Sequence, residues 1–124
     1  MESIGSTRWV VAEGYIPSPG IKEDRALESH ETFCILNTGP DDAQISITLF
    51  FADRAPVGPC GVVVPAERTM HLRAYDLDDP EPVPRDTDYA TVIEPNVPVV
   101  VQHSPLDSRP EAFALLSTVA FPAL

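Results

Sequence analysis

The segment Gln102-His103-Ser104-Pro105-Leu106-Asp107-Ser108-Arg109 gathers an amide, an imidazole, two hydroxyls, a carboxylate and a guanidinium. Such a set offers hydrogen-bond donors and acceptors of every kind. It follows the apolar run Val97-Pro98-Val99-Val100-Val101, which reads as a buried strand. The cluster is therefore expected at the mouth of that strand, as a polar ligand site held on a rigid element.

Hydrolytic chemistry in this cluster is disfavoured. His103 and Ser104 are adjacent, so on an extended chain they point to opposite faces and do not share a proton. No Gly-x-Ser-x-Gly elbow occurs elsewhere. His30, Glu31, His71 and His103 are the types that bind zinc or iron, but their spacing supports no site. His71 alternates with Met70 and Leu72 and reads as part of an outward polar face with Thr69 and Arg73. The acidic stretch from Asp76 fails the calcium-hand pattern, with Glu81 where Gly is needed and Thr87 where Glu is needed. Cys34 and Cys60 have no zinc or redox spacing and read as reduced thiols, Cys34 as a small buried hydrophobe and Cys60 in a turn. Trp9 and Glu13 fall on one face of a short strand, where an indole beside a carboxylate makes either a core anchor or a wall for a ring-shaped ligand.

The elements that must position these groups read as strands. Ile45, Ile47, Leu49 and Phe51 alternate with polar residues at the period of a half-buried strand. Further strands are expected over Trp9–Glu13, Glu31–Asn37, Gly61–Pro65, Thr69–Tyr75, Tyr89–Glu94, Val97–His103 and Ala114–Phe121, separated by breakers such as Asn37-Thr38-Gly39-Pro40. Lys22 to His30 reads at most as a short helical turn, and Asp76 to Pro84 as an extended acidic loop. The 14 prolines in 124 residues, about twice the usual share, argue against long helices. The expectation is an all-β chain: a single-domain antiparallel β-sandwich, jelly-roll-like, of about eight strands over residues 1–124. The final apolar stretch, Ala112 to Phe121, lacks a polar face, so contacts between copies are expected to cover it.

With 19 acidic and 8 basic residues the net charge is −11, which repels nucleic acid and anionic lipid. The N-terminus lacks the pattern of a secretory leader and no apolar run is long enough to span a bilayer, so a soluble, cytoplasmic protein is expected.

Several motifs resemble the sensory rhodopsin transducer family: Trp9-Val10-Val11-Ala12-Glu13-Gly14-Tyr15-Ile16-Pro17, Ser29-His30-Glu31-Thr32, Cys34-Ile35-Leu36-Asn37, Asp86-Thr87-Asp88-Tyr89, Gln102-His103 with Leu106-Asp107-Ser108-Arg109, and Ala114-Leu115-Leu116-Ser117-Thr118. The resemblance spans nearly the whole chain. It implies a small β-sandwich that assembles as a homotetramer and acts without catalysis as a signal transducer. Its implied partners are a membrane photoreceptor, met at its cytoplasmic face, another signalling protein, or a polar, sugar-like small molecule. It also implies a ligand site of Trp9, Glu13, His30, Glu31, Gln102, His103, Asp107 and Arg109, with Arg73 added; no cofactor or metal is implied. Two other readings stand beside it: a metal-assisted enzyme on small polar substrates using His30, Glu31 and His103, and a DNA-associated transducer, which the charge disfavours.

Overall fold

The computed structural model describes residues 2–15, 30–74, 77, 83–107, 114–115, 118–119 and 121–122. Strand β1 covers Trp9–Tyr15, β2 His30–Asn37, β3 Ala43–Phe51, β4 Val57–Val64, β5 Arg68–Arg73, β6 Asp88–Pro95 and β7 Val100–Asp107. Three two-residue strands follow: β8, Ala114–Leu115; β9, Thr118–Val119; and β10, Phe121–Pro122. They form two sheets, one ordered β10-β1-β6-β3-β4 and the other β5-β2-β7-β8, with β9 also on β7. All pairings are antiparallel. The expected all-β sandwich is therefore the fold. Among the described residues no helix is long and apolar enough to cross a membrane.

Alternation explains how the sheets close on each other. In β3, Ala43, Ile45, Ile47 and Leu49 are buried while Gln44, Ser46 and Phe50 are exposed. Phe33 and Ile35 of β2, Ile93 of β6 and Val101 of β7 complete the core from their own inward positions. Each such side chain contributes about 1.5–3 kcal/mol by leaving water.

Breaker residues pin the end of the sandwich where β1 begins. The Asn37 amide donates to the carbonyls of Asp41 and Val64 at 2.9 and 3.2 Å, and its own oxygen accepts from the Gly39 N–H at 3.0 Å. Ser6 and Val99 exchange backbone hydrogen bonds of 3.0 and 3.1 Å, and the Trp9 indole N–H donates to both carbonyls, at 3.1 and 2.9 Å. A side chain at Gly39 would collide with Ser3, its Cβ falling 2.1 Å from Oγ.

Three elements depart from the sequence reading. Strand β7 starts later than expected and runs on through Ser104, Pro105 and Asp107, because it stays paired with β2 out to His30 and Leu106. Gln102 to Asp107 of the polar cluster are thus within a strand and not at its mouth. Strand β4 begins at Val57 and includes the turn-like Gly58-Pro59-Cys60. As an edge strand it tolerates a proline, which has no N–H for the ladder. At the final apolar stretch the described residues do not stay in one sheet: β8 and β9 join the second sheet, and β10 pairs with β1 of the first. A segment that serves both sheets needs no single polar face. The acidic loop and the Lys22 to His30 turn lie largely outside the described residues.

Candidate functional site

Glu31 sits on the inward face of β2, in step with Phe33 and Ile35, and is 2 % exposed. A buried carboxylate is costly unless donors surround it, and three do. The Tyr89 hydroxyl donates to Oε2 at 2.9 Å. His103 Nε2 meets the same oxygen, and the Tyr15 backbone N–H donates to Oε1. His103 comes from β7 of the same sheet, where it lies diagonal to Glu31. Tyr15 and Tyr89 come from β1 and β6 of the opposite sheet. One carboxylate therefore ties the two sheets together.

The surroundings hold each partner in place. The His103 ring stacks on Phe33 with centroids 5.5 Å apart, and it is 5 % exposed. Tyr89, 4 % exposed, lies opposite Gly14, and a Cβ at position 14 would fall 2.7 Å from its ring. Only the absence of a side chain there lets the phenol reach Glu31. Burial first, then the Glu31 charge and the hydrogen bond to it, push the Tyr89 phenol above the ordinary tyrosine range, so it remains a donor. Toward the surface, the Tyr15 hydroxyl donates to Asp86 Oδ1 at 3.1 Å, with Asp86 in the left-handed region at φ 57°. Asp tolerates that conformation in a turn.

Chemically, this arrangement holds a negative charge inside the sandwich and aims an imidazole and a phenol at it. Burial pushes the Cys34 thiol up, away from the reactive thiolate, and neither cysteine is in a disulfide. Among the described residues no three His, Cys, Asp or Glu side chains gather as a metal site.

The sequence-derived candidates separate by face. Glu31 and His103 meet inside. Gln102 and Arg73 point outward: on the outer face of the second sheet Thr32 lies between Arg73 and Ser104, and Cys34 between His71 and Gln102. Cys34 is accordingly half-buried on that face, not a core residue. Trp9 is a core anchor beside Ser6 and Val99. Six steps along the strand, about 20 Å at ~3.3 Å each, separate it from Tyr15. The register of β1 against β6 shifts between Val11 and Gly14. The side chains of Glu13, His30 and Asp107, and all of Arg109, lie outside the described residues. Tyr89, Tyr15 and Gly14 were missed as site residues. The available signal was Tyr89 itself, a phenol at an inward strand position, which needs a polar partner when buried.

The family model described as Anabaena sensory rhodopsin transducer matches residues 4–122. The solved Anabaena sensory rhodopsin transducer is similar at 54% identity and TM-score 0.76, covering 83% of this chain and 99% of its own. The crystal structure of Thermotoga maritima 1070 is similar at 35% identity and TM-score 0.85, with 96% of each chain covered. No curated protein matches significantly.

Proposed function

This chain belongs to the Anabaena sensory rhodopsin transducer family, and from that premise we propose that it is a cytoplasmic, non-catalytic signal transducer that works as a homotetramer. In this reading it receives its signal from a polar, sugar-like ligand or from a receptor's cytoplasmic face, and the Glu31–His103–Tyr89 node is the sensing element. The observation that carries the reading is that one buried carboxylate joins β2 and β7 to β1 and β6 across the sandwich. An event that competes for that carboxylate must change how the sheets pack, which converts a local contact into a change of the whole molecule. The net charge of −11 suits the Lys- and Arg-rich cytoplasmic loops typical of membrane proteins.

A calorimetric titration with sugars, sugar acids and nucleosides tests this. The expected result is saturable binding to the wild type that His103→Ala abolishes while the variant stays folded, with no continuing heat from turnover. Equal binding by both proteins would remove the node from the ligand site. Steady heat of reaction would make the protein an enzyme.

A further inference from the structure

Among the described residues, Glu31, Asn37, Thr91 and His103 are polar and buried. Glu31, Asn37 and His103 are hydrogen-bonded. Thr91 differs: it is 0 % exposed, and among the described residues its Oγ1 has no hydrogen-bond partner. A buried hydroxyl without a partner is a net loss, and valine would keep nearly the same shape without it. Such groups are rare in native interiors and call for a cause, most simply a bound molecule.

The position of Thr91 narrows that cause. Strand β6 lies between β1 and β3, and Thr91 is opposite Val11 on the one and Leu49 on the other. Along the inward side of β6 the order is Tyr89, Thr91, Ile93, so Thr91 stands between the phenol that reaches Glu31 and the apolar core. Strand β1 loses its regular pairing at the same point. Val11 is opposite Thr91 and Gly14 is opposite Tyr89, which leaves Ala12 and Glu13 against Ala90 alone. Such an extra residue disrupts the ladder locally, and bulges are frequent beside functional sites. The unpartnered hydroxyl, the bulge and the node thus occupy one stretch of the sandwich.

We propose that Thr91 Oγ1 and the main chain of the β1 bulge hold an internal water molecule, which fixes the register of β1 at the node. Complete burial restricts the occupant to a small molecule, and a hydroxyl, which both donates and accepts, suits water. Globular proteins hold on the order of one buried water per 27 residues, typically on groups that lack a protein partner. The bulge brings Gly14 opposite Tyr89 and Tyr15 opposite Asp88. It therefore sets both the opening for the phenol ring and the Tyr15 N–H that donates to Glu31 Oε1. Thr91 acts through the water as a positioning residue for two of the three donors around the carboxylate. The water is expected whether a ligand or a receptor acts on the node.

A crystal structure of the wild type and two variants test this. Wild-type density should show a water within hydrogen-bond distance of Thr91 Oγ1 and of a main-chain group of residues 11–13. Thr91→Val, which keeps the shape and removes the hydroxyl, should lose that water, lower the urea midpoint by about 0.5 M and change the near-ultraviolet tyrosine signal. Thr91→Ser, which keeps the hydroxyl, should retain the water and the wild-type tyrosine signal. A role in packing alone gives the opposite order, with Ser disturbing the tyrosines and Val leaving them unchanged. Wild-type density without a water at Oγ1 would overturn the proposal even if Thr91→Val failed to fold, and so would an unchanged or higher urea midpoint in that variant.

Discussion

The Tyr89 hydroxyl is the contact at the node most easily removed without disturbing shape. Tyr89→Phe deletes one hydrogen bond to a buried carboxylate and is expected to cost about 1.5–3 kcal/mol in urea unfolding. Its pH dependence follows from the raised phenol pKa. In the unfolded chain Tyr89 ionises near its ordinary value of 10.0, whereas in the folded chain it keeps its proton. Above about pH 10 the unfolded state therefore holds fewer protons and stability falls as pH rises. The stabilisation is fully present below that pH, and the alkaline fall should be shallower in Tyr89→Phe. An identical alkaline slope in both proteins would contradict a buried, protonated phenol. Gly14→Ala tests the same ring from the other side. With the added Cβ only 2.7 Å from the Tyr89 ring, the ring must move, at a cost of about 1–3 kcal/mol, and the near-ultraviolet tyrosine signal should change with it. At this scale Glu31 and His103 were named from the family's motifs, His103 also from the polar cluster that follows the run Val97 to Val101. The bond of Glu31 to Tyr89 was not legible, because it joins residues 58 positions apart and in two different sheets.

Among the elements, β1 separates a structural end from the site end. Trp9→Phe removes an indole N–H from the Ser6 and Val99 carbonyls and leaves a small void, which together should cost about 2 kcal/mol. Because Tyr15 and the node lie at the other end of β1, affinity for any ligand of the node should not change. A folded Trp9→Phe protein with lost ligand affinity would return Trp9 to the site. Strand β3 was legible nearly to its ends because its inner and outer faces alternate without interruption. Strand β7 was misjudged because Ser104-Pro105-Leu106-Asp107 has the composition of a turn. Seven consecutive partners on β2 nevertheless hold it extended, an instance of tertiary pairing overriding local propensity. That misjudgement had a consequence for the site. Once the segment is a strand, Gln102 and His103 must face opposite sides, and a single pocket cannot use both.

At the scale of the whole molecule, the sandwich was legible from short alternating runs and frequent prolines, and the family from motifs spread along the chain. The C-terminal apolar segment was read as one strand because nothing local marks where it changes sheets. The proposed assembly can be tested there: Leu115→Asp or Val119→Asp should lower the mass in light scattering from about four times 13.5 kDa. An unchanged tetramer with a folded spectrum would remove these residues from the interface. The central claim is that Glu31 couples the two sheets, and a double-mutant cycle between Glu31→Gln and Tyr89→Phe, read by urea unfolding, tests it most directly. If the carboxylate and the phenol act as one tie, the two losses are strongly non-additive, with a coupling of about 1–3 kcal/mol. Losses that add within about 0.5 kcal/mol would mean that the sheets are held without this contact, and the node would no longer explain how a local signal reaches the rest of the protein.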